Sequence, residues 1–111
     1  MLSFKPGVEL GELLSPQAVL GMLVAAQIYG AHLLATECVV TSVADGKHGT
    51  NSLHYKGRAF DLRTRDIPIA IRPTLFADLC ARLRPLGFDV IDEEDHFHCE
   101  YDPKPHRAAE A

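Results

Sequence analysis

Two short windows of the chain, Ser52-Leu-His-Tyr-Lys-Gly-Arg-Ala-Phe-Asp61 and Asp95-His-Phe-His-Cys-Glu100, bring together His54, Asp61, His96 and His98. Two imidazoles and one carboxylate form a three-ligand zinc set with a fourth position left for water, whereas structural zinc sites usually close all four positions with Cys and His. The chemistry such a set serves is metal-assisted hydrolysis. Zinc brings the pKa of water from 15.7 to about 7. A nearby carboxylate then carries the proton to the leaving amine. An imidazole beside the metal donates to the oxyanion, a contact worth about 3 kcal/mol in comparable sites. Any one histidine taken alone reads as structural. Four of the six, however, fall within 48–61 and 95–100, and an acidic run, Asp92-Glu93-Glu94-Asp95, abuts the second window.

These side chains need a scaffold. Glu37 to Ser42 is β-branched and reads as a strand, and Ala44 to Asn51 is rich in turn residues and reads as a loop. Gly57 to Leu62 reads as a second strand, with Ala59 and Asp61 on one face and Arg58, Phe60 and Leu62 on the other. His54 and Asp61 are too far apart to share a face of one straight strand, so the chain must turn at Gly57. Phe88 to Ile91 and His96 to Tyr101 read as a hairpin whose loop is the acidic run. On its second strand His96, His98 and Glu100 share a face, and Phe97, Cys99 and Tyr101 point to the core. The Cα atoms of His96 and His98 then stand about 6.5 Å apart, too far for both rings to reach one metal without distortion.

Two helices complete the frame. Ser15-Pro16 supplies an N-cap and a first-turn proline. Val19, Leu20, Leu23, Val24 and Gln27 form the expected stripe, with Gly30 as the exit. Pro73 opens the second helix, whose stripe is Phe76, Leu79, Cys80 and Leu83, and Pro85-Leu-Gly87 stops it. The fold class is therefore α+β: a small, mainly antiparallel sheet with two helices packed on one face.

At 111 residues the chain reads as one domain, 1–111, with 102–111 as a flexible tail. A net charge of -4 argues against a nucleic-acid partner. The uncharged stretch from Ala18 to Ala35 contains Gln27, Tyr29, Gly30 and His32 and lacks a positive flank, so a buried helix is expected and no membrane partner. Cys38, Cys80 and Cys99 are odd in number and lack C-x-x-C spacing, which reads as buried thiols in a reducing compartment. Cys99 should face away from the metal-side histidines. No signal-peptide pattern is evident at the start.

The pattern Ser52-x-His54-x-x-Gly57-x-Ala59-x-Asp61, followed by His96-x-His98, resembles the zinc D-Ala-D-Ala carboxypeptidase and L-Ala-D-Glu endopeptidase family, which shares its fold with the Hedgehog signalling domain. The likeness to Hedgehog extends to Ser-Leu-His-Tyr-x-Gly-Arg-Ala-x-Asp, a histidine six residues upstream at His48, and His-x-His-Cys, and covers about Val39 to Tyr101. The resemblance implies a Zn2+ cofactor held by His54, Asp61 and His98, with His96 stabilising the oxyanion. It places the general base at Asp95, three residues before the last ligand. That position is often Glu in the family, which leaves Glu93 and Glu94 as alternatives. It implies a peptidoglycan stem-peptide substrate and a cytoplasmic or phage-associated setting, and leaves open the bond cut and the oligomeric state. Arg63, Lys47 and Arg65 are unranked candidates for binding a substrate carboxylate, and Ser42 and His48 for lining the cleft. The competing expectation is a zinc-containing binding module of the same fold without turnover.

Overall fold

The hairpin that carries the second window is built from β4 (Phe88–Asp92) and β5 (His96–Tyr101), paired antiparallel with Ile91 opposite His98. The computed structural model that shows it describes residues 2–11, 14–33, 37–44 and 57–103. His54, His48, Lys47 and the tail from 104 onward lie outside the described residues. The remaining elements are β1 (Leu2–Phe4), α1 (Pro16–Leu33), β2 (Cys38–Ser42), β3 (Ala59–Arg63) and α2 (Arg72–Leu83). A 3-10 turn, Arg84–Leu86, ends at Gly87, whose φ of 99° is the left-handed conformation that favours glycine.

The five strands form one sheet in the order β1-β2-β3-β5-β4. Every pairing is antiparallel except β1 with β2. The parallel edge strand β1 was not expected. It has only three residues and no alternation to read, and it owes its place to pairing with β2. The β3–β5 pairing is central for function because it sets Asp61 opposite His98 and Arg63 opposite His96.

Both helices pack on one face of the sheet, as expected. Phe60, Leu62, Phe97 and Cys99 supply that face and are fully buried. Phe76 of α2 packs on Phe97 with ring centroids 5.4 Å apart. Leu75, Leu79 and Leu83 form the buried edge of α2, with Phe76 and Cys80 both partly buried, so the stripe keeps Leu79 and Leu83 and is centred toward Leu75. Each such leucine withdrawn from water contributes about 1.5–3 kcal/mol.

Helix α1 corrects the expectation more strongly. Ser15 caps it as predicted, its Oγ accepting from the Ala18 N–H at 3.1 Å. The buried face, though, is Ala18, Gly21, Met22, Ala25, Ile28 and Tyr29. Most of the expected stripe is turned outward: Val19 is 40%, Leu20 49% and Leu23 55% exposed, and Gln27 is exposed too, while Val24 alone of the five packs on the core. Close approach explains the choice. A Cβ on Gly21 would stand 2.6 Å from the Phe88 ring and 3.1 Å from Phe60, so the small residues face the sheet. Gly30 does not end the helix, which runs on to Leu33. Among the described residues no helix is long and apolar enough to cross a membrane.

Candidate metal centre

Asp61 sits on the sheet face opposite the helices, yet it is only 8% exposed. A carboxylate so placed needs compensating partners, and β5 supplies two. His98 Nδ1 lies 3.0 Å from Asp61 Oδ1, and His96 Nε2 lies 3.7 Å from Asp61 Oδ2. The strand register produces this arrangement: Asp61 and His98 are cross-strand neighbours, and His96 follows on the same face two residues away.

The other ring nitrogens are also engaged. His98 Nε2 is 3.0 Å from Glu100 Oε1, so both of its nitrogens face carboxylates. The pKa of His98 is raised above the ordinary histidine value, first by its hydrogen bond to Asp61 and further by Glu100, with burial opposing. His96 Nδ1 lies 2.6 Å from Asp95 Oδ1. That hydrogen bond holds the Asp95 carboxyl below its usual range, keeping the acid ionised. Asp95 stands just before β5, where strand alternation has not begun, and it reaches the site through His96.

Asp61 and His98 are two donors of the kinds that zinc accepts. Two ligands about 2.0–2.1 Å from one tetrahedral zinc stand roughly 3.3 Å apart, and Asp61 Oδ1 and His98 Nδ1 are separated by 3.0 Å. A carboxylate on the second nitrogen of a metal-bound histidine is the usual device for fixing its ring and tautomer, and Glu100 occupies that place. The sequence placed Glu100 on this face without giving it a role; its i+2 spacing from His98 was the available signal. His54, the third expected ligand, lies outside the described residues.

The cysteines take no part in this set. Cys38 and Cys99 are buried, and burial pushes the Cys38 thiol up to about 12 and Cys99 well above the ordinary value. Among the described residues, Asp89, Glu100 and Asp102 form a second group, sharing Glu100 with the first, whose ligand atoms lie within 4.8 Å of one another, a geometry able to hold a metal ion. An all-oxygen group of this kind suits a hard cation better than zinc.

A five-stranded sheet with two helices on one face and a His/carboxylate cluster on the other defines a Hedgehog/DD-peptidase-like domain. The Hedgehog amino-terminal signalling domain matches residues 15–100, and the chain belongs to that family. A comparison with curated proteins found no match.

Proposed function

We propose that the protein is a zinc metallopeptidase acting on peptidoglycan stem peptides, of the D-Ala-D-Ala carboxypeptidase or L-Ala-D-Glu endopeptidase type. The observation that carries this reading is that Asp61 lies between His98 and His96, one carboxylate oxygen facing each ring, with the ionised Asp95 behind His96. Asp61 and His98, with His54, would hold the metal. Zinc there supplies Lewis acidity and lowers the pKa of water toward about 7.

The chain's own residues do the rest. Asp95 receives the Nδ1–H of His96, which fixes the ring with Nε2 turned toward Asp61. His96 Nε2 takes the proton of the attacking water, with the Asp95 carboxylate stabilising the imidazolium that forms. Now protonated, the same Nε2–H donates to the developing oxyanion. The proton then passes to the leaving amine, and the pair returns to its starting state. Glu100 keeps the His98 ring oriented throughout.

A second reading is favoured by the family match itself, which is to a signalling domain: a zinc-containing binding module of this fold without turnover. One experiment separates them. Purified peptidoglycan is digested with the protein, with and without chelator, and the released peptides are analysed by mass spectrometry. The peptidase reading expects defined stem-peptide fragments that vanish with chelator. Intact peptidoglycan after incubation with zinc-loaded protein would leave the binding module.

A further inference from the structure

Cross-strand pairing places Arg63 opposite His96 and Asp61 opposite His98, so four side chains form a block on the site face. Neighbours in such a block are about 5 Å apart across the strands and roughly 6.5 Å apart along one strand. Arg63 is thus as close to the reacting centre as strand geometry allows without entering it. Its backbone is fixed: the Tyr29 O–H, itself 1% exposed, donates to the Arg63 carbonyl at 3.0 Å. Its guanidinium is lightly held. Nη1 lies 3.9 Å from Asp66 Oδ2, at the outer limit of an ion pair, and Asp66 is well exposed.

Among the described residues, Arg58 and Arg72 are committed elsewhere. Arg58 donates to the Tyr101 carbonyl and stacks on that ring. Arg72 binds Asp92 and the Glu93 carbonyl and lies over Phe97. Arg65 is exposed in the turn beyond β3. A guanidinium fork matches a carboxylate in plane and spacing. One extended residue spans about 3.3–3.6 Å. A carboxylate one residue beyond a carbonyl held at Asp61 and His98 therefore falls within reach of a guanidinium rooted at Arg63.

We propose that Arg63 binds the free α-carboxylate of the substrate's last residue, so that the site selects peptides cut at their C-terminal bond. The inference rests on the zinc peptidase reading and narrows it to carboxypeptidase action. Arg63 acts here as a specificity-determining residue.

The test is calorimetric binding to the zinc-loaded protein of two uncleavable ligands. One is N-acetyl-Lys-D-Ala-D-Ala with its last amide reduced to an amine, and the other is the same peptide ending in a carboxamide. The acid should bind at least about tenfold more tightly, the lower end for a charge-assisted hydrogen bond. That preference should fall to within about twofold in Arg63→Gln and return in part in Arg63→Lys. Equal binding of acid and amide by the unaltered protein overturns the assignment without reference to any variant, as does a preference that survives in Arg63→Gln. Hydrolysis of the unreduced peptides separates the two levels of the argument. An Arg63-dependent preference without cleavage removes the peptidase reading alone, and equal cleavage of acid and amide removes the Arg63 assignment alone.

Discussion

The two carboxylate oxygens of Asp61 face different imidazoles, and that division sets what each histidine can do. His98 is bracketed by Asp61 and Glu100, an arrangement that fixes a ring for metal binding. His96 stands farther from Asp61 and turns its other nitrogen to Asp95, an arrangement that moves protons. The account therefore expects Asp95→Asn to keep fold and metal while lowering turnover by roughly a hundredfold or more. His96→Ala should likewise retain metal and lose turnover with little change in substrate affinity. Steady-state kinetics with metal analysis of both variants checks this. Near-normal rates in Asp95→Asn, with the loss appearing in Glu93→Gln, would move the proton-handling role to Glu93. Loss of metal from His96→Ala would make His96 a ligand and the site closed. The residue types of the site were legible because few other roles bring His, Asp and acid runs into such short windows. The Asp95–His96 pairing was not. Adjacent residues on a strand point to opposite faces, and only the position of Asp95 ahead of β5 lets it fold back.

Among the elements, α1 shows what hydrophobic pattern leaves undetermined. Its sequence is apolar on every side, so periodicity offers several faces and the sheet selects by size. The small face at Ala18, Gly21 and Ala25 wins because Phe60 and Phe88 press against it. The two glycines of α1 should then respond oppositely to alanine. Gly21→Ala should destabilise the fold by about 1–3 kcal/mol through overpacking. Gly30→Ala, with nothing within 4 Å of its new Cβ, should stabilise it by about 0.5–1 kcal/mol through helix propensity. Chemical denaturation of both variants measures this, and equal shifts of the same sign would show that Phe60 and Phe88 do not set the helix's rotation. The β4–β5 hairpin, by contrast, was legible to within one residue, because alternation and an acidic turn specify it together. The cation proposed here for a substrate carboxylate was not legible, since only the end of β3 at Arg63 separates that residue from Arg65 in the turn beyond.

At the scale of the whole molecule, the sheet separates two tasks. One face buries aromatic and aliphatic side chains under both helices, and the other presents Asp61, Arg63, His96, His98 and Glu100. The fold class was legible because strands and helices announce themselves by different periods. The short parallel strand β1 escaped notice because it depends on a partner far along the chain. The joining of two windows about forty residues apart follows from β3 lying beside β5, and the whole functional reading depends on that junction holding a metal. Metal analysis of the purified protein tests this most directly, with Asp61→Ala and His98→Ala measured beside it. One zinc per chain is expected in the unaltered protein and none in either variant, with the fold of each confirmed by circular dichroism. Stoichiometric zinc surviving in both variants, or an unaltered protein that takes up none when zinc is supplied, would contradict the account.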